Sequence, residues 1–313
     1  MRVIVLDKFW DVISVVLPVL AALALGWYSR RKRIIDDGAI DGIKALVMRF
    51  MLPAVLFGAF YKTEFSGDLL VVAACMFGSC LAGLGFGMLI SRMYKGGGKI
   101  LPFLTCGFEA GMMGYGLYAM LFSASETHNF AMVDLGQVLF VFTVYTALLN
   151  KQKEISTKET LISMVTSPVF IAIAAGVALS ASGLGALIQK SAAGASIETV
   201  LGYIGAPTGV LMIFVVGYQL TLSKSSMKAA LITVGVRTLI MAGLCAASLF
   251  VIGQFLSLEP PLFWAIVLMF TLPAPFVLPI FSGDKEQKGY IATTLSVGTI
   301  LSVVYFAAIS ILR

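Results

Sequence analysis

The chain has 313 residues, of which 59% are hydrophobic and 12% charged, about half the charged share of an ordinary soluble domain. A soluble globule cannot hide that much apolar surface, because its outside must face water, so the composition excludes a soluble fold and makes lipid the solvent. The net charge of +6 sits in short loops between apolar segments and forms no basic face, which argues against nucleic acid as the partner and for the bilayer.

A helix needs about 20 apolar residues to cross the hydrocarbon. Ten such segments follow one another, at roughly 9–28, 40–60, 68–91, 100–122, 129–149, 160–181, 199–221, 227–252, 261–281 and 289–312. The first carries its cationic flank on the C-terminal side and lacks a small-residue cleavage pattern, so it reads as a span and not a signal peptide. A weakly amphipathic stretch near Leu184–Ile197 is expected to lie along the interface. No stretch between spans is long enough for a soluble domain. Cys75, Cys80, Cys106 and Cys245 all fall inside apolar segments without metal or redox spacing, and read as small core residues.

Orientation follows from Lys and Arg. The loops after spans 1, 3, 5, 7 and 9 hold Arg30, Arg31, Lys32, Arg33; Arg92, Lys95, Lys99; Lys151, Lys153, Lys158; Lys224, Lys228; and Lys285, Lys288. The even loops and the ends hold Arg2, Lys8, Lys62, Lys190 and Arg313. The positive-inside rule makes the odd loops cytoplasmic and places both termini outside, in a plasma (inner) membrane. An odd number of spans per half inverts the second half, so residues 1–150 and 151–313 are expected to form two five-helix repeats of opposite topology within one membrane domain. Pro53 in span 2 and Pro207 in span 7 stand in matching places and are read as hinges.

The fourth helix of each half is the informative one. Span 4 carries Gly107, Gly111, Gly114 and Gly116 with Glu109 among them; span 9 reads Thr271-Leu272-Pro273-Ala274-Pro275-Phe276-Val277-Leu278-Pro279. An interior proline costs about 3 kcal/mol in a helix, so Pro273 and Pro275 should break it, with Gly116 and Pro279 as further hinge positions. Broken backbone at membrane depth must be covered by protein or line a cavity, so the breaks are expected to face each other. Amides freed at the half-helix starts favour an anion, and the freed carbonyls favour a cation or a proton-bearing group. The bland alternative for span 4 is a small-residue packing face.

Glu109 is the leading functional candidate, because a mid-membrane charge costs about 2.5–3.5 kcal/mol even on lenient scales and is kept for a partner, a ligand or a proton. Burial favours an uncharged carboxyl, which suits proton binding and release. Its alternative role is a neutral carboxyl bonded to the broken backbone. Gly107, Gly111, Gly114, Pro273, Ala274, Pro275 and Phe276 are expected to surround the substrate with Glu109, and Tyr145, Gln137 and Asp134 to line a cavity. Arg237 is the other deep charge, read equally as a structural contact or a substrate contact. Arg49 can snorkel to the cytoplasmic surface, and His128 is expected in an outer loop.

At these residues the chain resembles the auxin efflux carrier family, which contains plant PIN carriers and bacterial malate and malonate permeases. The likeness runs from Leu17-Pro18-Val19 and Gly26-Trp27-Tyr28 through Leu52-Pro53-Ala54 and the glycines of span 4. It continues through Ala206-Pro207, Gly217-Tyr218-Gln219-Leu220 and Leu272-Pro273-Ala274-Pro275. The resemblance implies an all-α integral membrane fold of ten transmembrane helices, a 5+5 inverted repeat with crossed broken helices 4 and 9, shared with sodium/proton antiporters and bile-acid symporters. It also implies transport of organic anions by an elevator-like motion, often as a homodimer. Two positions depart from the family pattern: Glu109 stands where asparagine is typical and Gly116 where proline is. An ionised Glu109 would repel an anion, so either it is protonated during transport or the substrate is not a simple anion.

No enzyme motif is present and no cofactor is expected; the proton is the expected coupling ion, ahead of sodium. A sodium-coupled organic-anion symporter of bile-acid type and a channel are the alternative readings.

Overall fold

The computed structural model describes residues 2–62, 67–123, 126–151, 159, 162, 165–281 and 285–313. Lys153 and Lys158, used above for orientation, lie outside them, as does most of the start of the sixth apolar segment. Among the described residues the secondary structure is helical throughout, with no strand.

Among the described residues, seven helices are long and apolar enough to cross a membrane. In chain order the described elements are α1 (Arg2–Lys32), α2 (Asp37–Phe60) and α3 (Gly67–Met93), then two short pieces, α4 (Leu101–Leu104) and α5 (Tyr115–Leu121), then α6 (Thr127–Asn150). The second half holds α7 (Pro168–Ala181), α8 (Leu184–Lys190), α9 (Ala192–Gln219), α10 (Met227–Gly253), α11 (Pro260–Thr271) and α12 (Lys285–Leu312). α8 is turned by 86° from α7; with α7 it would make an eighth span. The stretch 184–197, expected to lie along the interface, is thus divided between two helices. Only α8 turns aside, and α9 starts at Ala192, where Ser191 caps it by accepting from the Gly194 amide.

Proline positions behave according to what surrounds them. Pro53 does not break α2: a π turn at Val47–Met51 precedes it and absorbs the lost donor. Pro207 sits at a two-residue interruption between the Ala192–Gly205 and Thr208–Gln219 parts of α9. His128 is in the first turn of α6, half-buried, and not in a loop.

The frame of the molecule is set by two matching contacts. α1 packs along the second part of α9, and α7 packs along the second part of α2. Gly26 of α1 lies so close to the Phe214 carbonyl and the Tyr218 amide that no β-carbon fits. Gly176 of α7 lies likewise against Phe57 and Tyr61, a β-carbon there falling 3.3 Å from the Phe57 oxygen and 3.2 Å from the Tyr61 nitrogen. The two helices share a pattern: Pro18-Val19 and Gly26 in one, Pro168-Val169 and Gly176 in the other, with Ala22 matching Ala172 and Ala24 matching Ala174. The buried positions match too, Val19, Ala22, Leu23 and Gly26 against Val169, Ala172, Ile173 and Gly176. The helix ends repeat the theme. Tyr218 donates to Asp37 at 2.9 Å and lies under Arg30, while Tyr61 donates to Glu198 at 3.2 Å and lies under Lys62. Lys62 and Glu198 form an ion pair at 2.9 Å. Burial and the Glu198 carboxylate push the Tyr61 phenol up to about 12. The second layer pairs α3 with α6, α10 with α12, and α3 with α10.

Candidate functional site

The two interrupted segments meet inside this layer. α4 stops at Leu104, and the chain passes through Gly107, whose φ of +64° suits glycine, to Glu109. A π turn at Ala110–Gly114 then leads into α5. α11 stops at Thr271; Leu272 is extended and Pro273 and Pro275 cannot donate, so helical bonding ends until the 3₁₀ turn at Leu278–Phe281. The breaks are bonded to each other: the Glu109 amide donates to the Pro273 carbonyl at 2.9 Å. A β-carbon at Gly107 would lie 3.0 Å from the Pro275 ring, and Phe108 meets Phe270 edge-on at 5.2 Å between centroids. Of the glycines expected to open span 4, Gly107 alone lies in the non-helical stretch. Gly111 and Gly114 are in the π turn, Gly114 tight against Phe130 and Leu272. Gly116 lies within α5 and touches the backbone of Gly209 on α9, its β-carbon position 3.2 Å from the Gly209 α-carbon. It packs and does not break, because a small residue there lets two backbones approach.

Glu109 occupies the amide side of the crossing. One carboxylate oxygen accepts from the Met112 amide at 3.0 Å, the other from the Phe276 amide at 2.5 Å. These are the donors at the start of the chain beyond each break, so one side chain caps both. The carbonyl side is covered from neighbouring helices. Arg237 of α10 donates to Leu104 at 3.1 Å, Gly107 at 2.7 Å and Leu272 at 3.1 Å, with Phe108 stacked against its guanidinium at 5.6 Å. Tyr145 donates to Phe103 and Gln137 to Phe108, both at 3.0 Å, and Ser302 of α12 donates to Thr271 at 2.5 Å. Broken backbone is thus satisfied by side chains without exposure to lipid. Asp134 accepts from Tyr115 at 3.1 Å and from Gln137 at 3.3 Å, while the Gln137 amide oxygen is buried with no hydrogen-bond partner among the described residues.

Two cavities border the crossing. One, of about 400 Å³, runs from the end of α1 and the start of α2 to Phe276 and Pro279; Arg30, Lys44, Asp37, Asp41, Tyr218 and Thr299 line it. The other, of about 390 Å³, lies between α10, α11 and α12, is mostly apolar, and touches Arg237, Leu272 and Pro273. Of the expected substrate-site residues, Phe276 borders the first and Pro273 the second; the expected hinge Pro279 also borders the first. Tyr145 and Gln137 border neither and brace the backbone instead. Lys44, half-buried in α2, was not among the candidates, though Asp37, Asp41 and Lys44 at helical spacing on one face of a span are a polar stripe readable from sequence.

A bundle of apolar helices around a crossing of interrupted segments with buried charges is the build of an integral membrane transporter. Residues 11–164, just under half of the chain, match the family model described as Membrane transport protein, that of the auxin efflux carrier, PIN-like family, a family of membrane transporters. The match covers α1 through α6, including Glu109 but not the proline-broken segment. No curated protein matches the chain.

Proposed function

We propose that the protein is a secondary active transporter of a small organic anion, a carboxylate of malate, malonate or auxin type, that works by elevator-type alternating access and couples transport to a proton through Glu109. The observation that carries this reading is the double cap: the Glu109 carboxylate holds the two amides, Met112 and Phe276, that an anionic substrate would seek. An incoming carboxylate competes with Glu109 for them. A protonated carboxyl is a poorer acceptor and carries no charge to repel the substrate, so proton uptake by Glu109 and anion binding favour each other.

The arrangement fits ten spans as two inverted repeats of five, with the broken segments 101–121 and 260–281 as spans 4 and 9. The pairing of α1 with α9 and of α7 with α2, and the shared Pro-Val and glycine pattern, support it. With the positive loops in the cytoplasm and both termini outside, the cavity holding Arg30 and Lys44 faces inward. On the other side Gly116 and Gly209 touch, which is the build of an inward-facing state. Its two cations, Arg30 and Lys44, lie in the path of an anion leaving or approaching Phe276.

The test is uptake into proteoliposomes of a panel of labelled mono- and dicarboxylates, with and without an imposed proton gradient. Accumulation of one carboxylate that is driven by the gradient, and abolished in its dependence by Glu109→Gln, is expected. Uptake by Glu109→Gln with unchanged pH dependence sinks the coupling, and stimulation by a sodium gradient alone favours the bile-acid type of symport.

A further inference from the structure

Arg237 stands midway along α10, buried, with its guanidinium at the one place where carbonyls from both broken segments converge. Leu104 and Gly107 belong to the first break and Leu272 to the second, and all three oxygens lie 2.7–3.1 Å from its terminal nitrogens. Leu104 ends α4, Gly107 lies in the non-helical stretch that follows, and Leu272 is the extended residue after α11, so these oxygens turn to a partner outside a continuous helix. Several such oxygens drawn from two unwound segments around one point make a site for a small cation. The chain itself fills it.

We propose that Arg237 is a built-in cation that occupies the cation site of the crossing, so that transport proceeds without a coupling metal ion. Guanidinium is charged at every physiological pH and spreads its donors in a plane, which lets one group bond three carbonyls from two segments. Charge balance follows. With Glu109 ionised, the pair of side chains leaves the crossing neutral. Once Glu109 takes a proton, Arg237 leaves it one positive charge, which a substrate carboxylate neutralises. The inference rests on the transporter reading for its role in coupling, but the site itself is a matter of binding. The adjoining cavity of about 390 Å³, bordered by Arg237, Leu272 and Pro273, gives a small cation room to enter if the side chain is shortened.

The experiment is thermal unfolding of the purified full chain, wild type and Arg237→Ala, in guanidinium, sodium or choline chloride at equal and modest ionic strength. Guanidinium or sodium should raise the midpoint of Arg237→Ala saturably by roughly 4 °C or more, and leave the wild type unmoved; choline should do nothing. Arg237→Ala that ignores both small cations, or a wild type stabilised by sodium, overturns the proposal. If Arg237→Ala cannot be purified, Arg237→Lys and Arg237→Gln decide. The lysine variant should keep at least about tenfold more folded protein than glutamine, which offers donors without charge; equal loss in both overturns the proposal. The stability readout needs no substrate, so a failure to transport organic anions would leave it standing, and its own failure would leave the transport assay intact.

Discussion

Glu109 carries a charge-bearing group into the membrane and meets no basic side chain within its hydrogen bonds; two backbone amides hold it instead. Removing an acceptor from a buried donor costs about 1–3 kcal/mol for each group left bare. Glu109→Ala should therefore lower stability by about 2–5 kcal/mol, measured by denaturant or thermal unfolding in detergent. Glu109→Gln, which still offers one oxygen, should lose less. A variant as stable as the wild type would mean that water or another side chain takes the two amides. Tyr145→Phe tests the opposite side. It leaves the Phe103 carbonyl without its donor and should cost about 1 kcal/mol with little change in substrate affinity, since the phenol borders neither cavity; a large rise in KM would instead put Tyr145 at the substrate. Glu109 was legible because an ionisable residue among glycines in an apolar run is conspicuous. Its partners were not, since Phe276 lies 167 positions away.

At the scale of elements, glycine decides where helices touch. Gly26 and Gly176 sit where a side chain would meet backbone atoms of α9 and α2, and backbone cannot swing aside as a side chain tip can. Gly26→Val and Gly176→Val should each destabilise by about 1–3 kcal/mol or more. Gly78→Ala and Gly85→Ala in α3, with nothing within 4 Å of the added carbon, should be neutral or slightly stabilising through helix propensity. Melting the four variants side by side checks this; equal effects would argue that the α1–α9 and α7–α2 contacts are looser than they stand here. Apolar run length and proline placement announce most elements, but not how prolines resolve. By sequence Pro53 is a hinge candidate, yet a π turn absorbs it, because neighbouring backbone can re-register locally; Pro273 and Pro275, two positions apart, leave no such option.

For the whole molecule, a cavity opens beside Arg30 and Lys44, and Gly116 of α5 touches Gly209 of α9. In a background free of native cysteines, Thr299→Cys should react with a membrane-impermeant thiol reagent from the cytoplasmic side only, and a transported carboxylate should slow that reaction. Reaction from outside alone would reverse the orientation taken from the basic loops. On the proposed inward-facing reading, Gly209→Leu should wedge the Gly116–Gly209 contact apart and lower Thr299→Cys labelling by shifting the population. Labelling that stays unchanged would deny the Gly116–Gly209 contact a part in closure.

Sequence by itself determined that the chain lives in lipid, where its helices run, that two of them are interrupted, and that Glu109 and Arg237 lie deep. Each of these is a local property: a run of apolar residues long enough for the bilayer, a proline that cannot donate, a charge with no water nearby. Only the tertiary structure decided what each deep charge does. Freed amides and carbonyls can be satisfied by any donor or acceptor that the fold brings within about 3 Å, and sequence spacing does not report that distance. It was the packing of α10 and α12 behind the crossing that assigned the carbonyls to Arg237 and Ser302, and the meeting of the two breaks that gave both amides to Glu109.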